Sequence, residues 1–157
     1  MQDSTTLLNL KIKVYMKKLL LALLLLVVFS GYSQSQKTTH TLNITVAKFE
    51  NTKGSLRACI TDQKNNFLKD CLFSKIVSIE NETVSLSFEN LKDGVYAVSV
   101  YHDENKNGVL ETSGLFGFPS EPFGFSNNPS MLFGSPSFKR SSIKVNADKK
   151  ITIKLIR

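Results

Sequence analysis

From about residue 40 onward, apolar and polar residues alternate with a period of two. Leu42, Ile44 and Val46 are interleaved with Asn43, Thr45 and Ala47, and Leu56, Ala58 and Ile60 with Arg57, Cys59 and Thr61. Such alternation marks strands with one face buried. The same pattern predicts strands over Phe73 to Ile79, Thr83 to Phe88, Val95 to His102, Phe138 to Val145 and Lys150 to Ile156. Turn-forming clusters separate them, among them Asn51 to Gly54, Asp62 to Asn66, Lys92 to Gly94 and Asn146 to Asp148. No segment carries a helical stripe, although Asn65 to Asp70 suits a single turn. Seven short strands at this spacing predict an all-β, single-domain antiparallel β-sandwich of immunoglobulin-like or prealbumin-like type. In it, Leu91 to Tyr96 forms a strand entry with Tyr96 in a structural role.

The N-terminus breaks the pattern. Met16-Lys17-Lys18 precedes an apolar run from Leu19 to Phe29, followed by small and polar residues through Gln34. This is the layout of a Sec-type signal peptide, with cleavage expected after Ser33. The run falls short of the roughly 20 apolar residues that span a bilayer, so no stable membrane span is expected after cleavage. Met16 suits a true start, and residues 1–33 are read as leader. The sandwich is assigned to 34–157, in a secreted or periplasmic protein.

Without its leader the chain has 124 residues, enough for one modest core. Its 16 basic and 12 acidic residues are scattered, which gives no basic stripe for nucleic acid. Cys59 and Cys71 both lie in the exported part, where the environment is oxidising, and are expected to form a disulfide. Their spacing matches neither a redox motif nor a zinc set.

Candidate chemistry concentrates after His102. Asp103, Asn105 and Asn107 alternate and are followed by Gly108, the opening of a calcium loop. Val109 would add a carbonyl and Glu111 a carboxylate. Position twelve is Gly114 rather than glutamate and a strand precedes the loop, so this is no EF-hand; a missing ligand would come from Glu121 or Glu104. Two asparagines lower the ligand charge and predict weak Ca²⁺ binding, on the order of 10⁻⁴ to 10⁻³ M. The alternative is a metal-free turn in which these side chains bond their own backbone. No organic cofactor is implied.

The connection that follows runs about thirty-five residues, far beyond the usual length of roughly 4 to 6. Together with Gly108, the stretch to Phe138 holds all four prolines, five of the eight glycines and six of the eleven phenylalanines. A folded cap is expected, in which Phe118, Phe123 and Phe125 pack over one end of the sandwich and Ser126, Asn127 and Asn128 offer hydrogen bonds beside His102 and Glu121. Such a cap suits envelope polysaccharide or protein, or is simply the private core of the loop. Gly124-Phe-Ser126 lacks the closing glycine and helix of a nucleophile elbow. Glu111 and Glu121 are the carboxylates a glycosidase would need.

The segments Tyr96 to Asp103, Asn105 to Gly108, Gly117 to Asn128 with its Glu-Pro-Phe-Gly-Phe-Ser-Asn-Asn string, and Ser135 to Phe138 together resemble a bacterial exported family, domain of unknown function 2141. The likeness spans residues 42–156. It implies a bacterial envelope or secreted protein and supplies no activity. Glu111 stands where such sequences often have Asp, Phe118 where Ile is common, and the cysteine pair lies outside the pattern. A non-catalytic binding or accessory module is the expectation; a carbohydrate-active enzyme and a purely structural envelope protein are the alternatives.

Overall fold

The computed structural model describes residues 4–29, 38–114, 117–132 and 134–157. It comprises two compact units, Met1–Gln36 and Lys37–Arg157. In the first, Ser4–Phe29 forms one helix, α1, continuous across Met16. No helix among the described residues is long and apolar enough to cross a membrane. The cleavage site expected after Ser33 lies outside the described residues.

The second unit has a strand in each region where alternation predicts one. These are β1 (Thr39–Ala47), β2 (Ser55–Thr61), β3 (Phe73–Ser78), β4 (Thr83–Lys92) and β5 (Gly94–Asp103), with β9 (Ser142–Val145) and β10 (Lys149–Lys154) near the C-terminus. Between β5 and β9, the long connection adds β6 (Thr112–Ser113), β7 (Phe118–Pro119) and β8 (Phe123–Phe125), so the described residues form ten strands rather than seven. Lys64–Asn66 forms a 3₁₀ turn at the edge of the expected one.

One expected strand is partly corrected. Residues Phe138–Ser141 form a helical turn, α2, and only Ser142–Val145 are extended. Ser137 caps this turn, its side chain accepting from the Arg140 N–H, which is the helix-starting role serine favours over strand.

The strands form a three-stranded sheet in the order β10-β1-β4 and a five-stranded sheet in the order β3-β2-β5-β8, with β9 also on β5; β6 and β7 pair separately. Pairing is antiparallel except between β1 and β10, which run parallel, so the expectation of a wholly antiparallel fold is corrected there. Parallel register follows from the crossover that returns the chain from the second sheet to the free edge of β1.

A single core draws on both sheets. Leu42, Ile44, Val46, Leu86, Phe88 and Ile153 come from the first, and Leu56, Ile60, Val98, Val100 and Val145 from the second. In β4, the register against β1 shifts between His40 and Leu42, and Asn90 adopts φ 58°. That bulge lets Phe88 and Leu91, three residues apart, both face inward. Tyr96 is buried and its hydroxyl donates to the Lys92 carbonyl at 2.9 Å, which is the structural role expected of it.

Candidate functional site

The strand β5 ends in His102 and Asp103, both fully buried. Asp103 opens the Asp-Glu-Asn-Lys-Asn-Gly loop, and its carboxylate is surrounded by donors. Oδ1 accepts the Asn107 N–H at 3.0 Å, while Oδ2 accepts the Gly108 N–H at 3.0 Å and Arg57 Nε at 2.5 Å. Burial pushes this carboxyl up, but the Arg57 hydrogen bond, the Gly108 and Asn107 N–H groups and the Arg57 charge outweigh it and leave it below the ordinary carboxylate range. Arg57 itself sits on β2 opposite Tyr101, so its side chain reaches diagonally to Asp103. Gly108 takes φ 83°, and an added Cβ would lie 3.1 Å from Arg57 Nη2. The turn therefore needs glycine both for its backbone and for the guanidinium lying against it.

The outer half of the loop bonds to itself. Asn105 Oδ1 accepts the Asn107 N–H at 3.0 Å and Asn107 Oδ1 accepts the Val109 N–H at 2.8 Å, two successive Asx turns. The amide nitrogens of Asn105 and Asn107 both donate to Glu111 Oε1 at 2.9 Å. Val109 is 63% exposed. Glu121 is buried; its Oε1 accepts the Glu104 N–H at 3.0 Å and its Oε2 the Glu111 N–H at 3.2 Å, so it ties the two ends of the loop together. Glu104 accepts from Asn51 Nδ2 at 2.7 Å and from Arg157 at 2.9 Å. Burial pushes Glu104 up as well, and these partners bring it net below its ordinary value. Among the described residues no cluster of three or more His, Cys, Asp or Glu side chains is placed to hold a metal ion.

His102 faces inward. Its Nε2 meets the Lys53 carbonyl at 2.5 Å, which requires the proton on Nε2. Its Nδ1 is buried without a partner and the ring stands edge-on to Phe49 at 5.3 Å.

The phenylalanine-rich segment divides into an exposed and a buried part. Phe118, on the β6–β7 hairpin, is 65% exposed. Phe123 and Phe125 are buried, their rings 5.8 Å apart, and Phe67 from the loop before Cys71 packs on Phe125 at 6.1 Å and on Phe138 at 5.9 Å. Between them, Gly124 faces the core: an added Cβ would come within 2.7 Å of Ile153 Cγ2 and 3.0 Å of the Lys154 carbonyl. The missing side chain lets β10 approach β8, and a bridge between Phe123 and Ile156 links the two sheets at this point.

Ser126, Asn127 and Asn128 turn their polar atoms onto backbone. On one edge of β5, β9 pairs with Gly94 to Ala97 and β8 with Ser99 to Tyr101, which leaves a joint at Val98. Ser126 fills it. Its N–H donates to the Val98 carbonyl at 2.9 Å, its Oγ accepts the Val98 N–H at 2.9 Å, and its hydroxyl also bonds the Ser141 carbonyl. Asn127 and Asn128 follow at φ 65° and 45°, a region asparagine tolerates better than most residues. Asn127 Nδ2 donates to the Ser142 carbonyl at 2.6 Å. Asn128 takes Lys154 N–H on Oδ1 at 2.7 Å and gives Nδ2 to the Thr152 carbonyl at 2.9 Å, covering the outer edge of β10.

Cys59 and Cys71 lie at disulfide-bonding distance, with Cα atoms 5.3 Å apart. The bridge ties the segment carrying Phe67 to β2. Arg57, Phe67 and the Val98 joint are the parts of this region that sequence reasoning missed. Only Phe67 had a local signal, an apolar residue inside a cysteine-closed loop.

Residues 44–154 match the model of a family described as uncharacterized protein conserved in bacteria (DUF2141). No curated protein and no solved structure matches.

Proposed function

Because the chain belongs to this family of uncharacterized bacterial proteins, we propose its function from the geometry of its own residues: an exported, non-catalytic β-sandwich module that binds a component of the cell envelope. The observation that carries this reading is that Asp103, His102, Glu121 and Ser126, the buried polar side chains a hydrolase would draw on here, are engaged with backbone groups. Glu121 and Asp103 are buried against N–H donors, His102 faces Lys53 and Phe49, and Ser126 fills the joint at Val98. Glu111, the exposed carboxylate of the pair a glycosidase requires, is met by two asparagine amides. The sandwich assignment is supported by the single core shared by two sheets, and export by the signal-type leader.

The test is incubation of the exported protein with insoluble envelope polysaccharide. Co-sedimentation without release of reducing ends is the expected result. Release of reducing ends would establish the carbohydrate-active alternative. Failure to sediment would favour the structural one, which the backbone role of Ser126, Asn127 and Asn128 supports.

Within this reading Arg57 serves as the resident cation of the Asp103 loop. Calcium is the second reading for the loop, favoured by the convergence of Asn105, Asn107 and Glu111 at its exposed end.

A further inference from the structure

The outer face of the five-stranded sheet carries a groove that none of the roles above uses. Strand register sets side chains there in two adjacent rows. Ser74, Cys59 and Ser99 form one, and Ile76, Arg57 and Tyr101 the next. The Cys59–Cys71 bridge closes one end, and the space enclosed is about 210 Å³. That volume suits one sugar ring and is below the usual drug-sized pocket of roughly 300 Å³ or more. Lys75, between Ser74 and Ile76, points to the opposite face, where its Nζ lies 6.0 Å from the centre of the Phe88 ring.

Arg57 gives this groove its chemistry. Its Nε is fixed on Asp103, which orients the guanidinium, while the hydrogen bonds among the described residues leave Nη1 and Nη2 without an acceptor. A guanidinium held from one side presents parallel N–H groups on the other, the geometry that recognises a carboxylate in bidentate fashion. No carboxylate lines the groove. Tyr101 is held in place by its hydroxyl, which donates to the Gly108 carbonyl at 2.8 Å, so its ring forms a fixed wall. Ser74 and Ser99 add hydroxyls that donate or accept.

We propose that this groove binds a carboxylate-bearing sugar residue, with the carboxylate on the free Nη groups of Arg57, the ring against Tyr101, and its hydroxyls on Ser74 and Ser99. This inference rests on the binding reading and names the site and ligand class that reading leaves open. A neutral sugar lacks the carboxylate oxygens that the Nη groups of Arg57 would hold, and a bare carboxylate lacks the ring that fills the space.

The test is calorimetric titration of the full exported protein with glucuronate, glucose and acetate. Glucuronate is expected to bind saturably and at least about tenfold more tightly than either, since a charge-assisted bidentate pair adds roughly that much to a ring contact. Two variants probe the placement. Arg57→Lys is expected to lose the preference for glucuronate over glucose, because a point charge replaces the planar fork. Ser74→Trp, at an exposed position on the edge strand β3, is expected to roof the groove and abolish binding, with an unchanged circular-dichroism spectrum as the check that the variant is folded. Equal affinity for glucuronate and glucose would overturn the proposal, as would wild-type glucuronate affinity in Ser74→Trp. If envelope polysaccharide still sediments the protein while glucuronate neither binds nor competes, the groove assignment fails and the binding reading stands. Loss of sedimentation as well overturns both.

Discussion

Arg57 Nε donates to Asp103 Oδ2 at 2.5 Å across the β2–β5 pair, so a cation on one strand neutralises the first residue of the loop that leaves the other. Asp103→Ala removes that acceptor together with those of the Asn107 and Gly108 N–H groups. Loss of hydrogen bonds to a buried charged group costs about 1.5 to 3 kcal/mol, and the variant is expected to melt correspondingly earlier. Unchanged thermal unfolding would show that the loop does not depend on this carboxylate.

The same pair bears on the metal question. With Arg57 acting as the cation, melting curves in chelator and in millimolar calcium are expected to coincide. A saturating rise with calcium that disappears in Asn105→Ala would instead establish calcium binding at the Asn105, Asn107 and Glu111 end.

Acid sensitivity follows from the carboxyls held below their ordinary values, Asp103 and Glu104. A depressed carboxyl contributes stability that is complete above the unfolded-state value, about 4, and is lost as pH falls through the lower folded value. Stability is therefore expected to hold through mildly acidic pH and to fall below about pH 4. In Arg57→Gln the Asp103 carboxyl loses its main support and rises toward or above its unfolded-state value, so the variant is expected to be less stable at neutral pH and to lose less stability on acidification, with a shallower acid limb. Melting temperature against pH for the two proteins checks this; superimposable acid limbs would count against the assignment.

Gly124 lets β8 lie close against β10. Gly124→Ala places a methyl 2.7 Å from Ile153 Cγ2 and 3.0 Å from backbone oxygen, and overpacking of this kind costs about 1 to 3 kcal/mol. Denaturant unfolding is expected to show that loss. A neutral result would mean that β10 moves away freely.

Ser126→Ala leaves the Val98 N–H inside the sheet without an acceptor, an expected cost of about 1 to 3 kcal/mol. Hydrogen exchange should report it first at Val98 and Ser142, on either side of the joint. Reduction of the Cys59–Cys71 bridge, whose cysteines lie 12 residues apart, removes about 3 kcal/mol in the chain-entropy account and is expected to loosen Phe67 from Phe125.

What could be read in advance was what repeats along the chain. Alternation located β1 to β5 and β10, and the C-terminal half of the segment that holds β9, because burial of one face imposes period two, and the cysteines found each other because a closed loop of that length suits a small domain. Phe138 to Ser141 were misassigned because apolar spacing over four residues does not separate a strand from a capped turn. Arg57 gave no signal as a partner of Asp103, since they meet only through the diagonal of a strand pair 46 residues apart in sequence. The Ser-Asn-Asn string was expected to present polar groups outward; its contacts lie on Val98, Ser142 and Lys154, positions set by topology and invisible to local pattern.

The parallel pairing of β1 with β10 has a consequence in time rather than in space. Leu42 through Ala47 align with Lys149 through Lys154, so the first strand of the domain waits for the last one to be synthesised. Until then one edge of β1 is bare and the core lacks Ile153 and Leu155. Contacts between such distant segments form slowly, because the loop between them must close first. With this wiring the first sheet reaches its full width, and the core its full content, only once Lys149–Lys154 are in place beside β1.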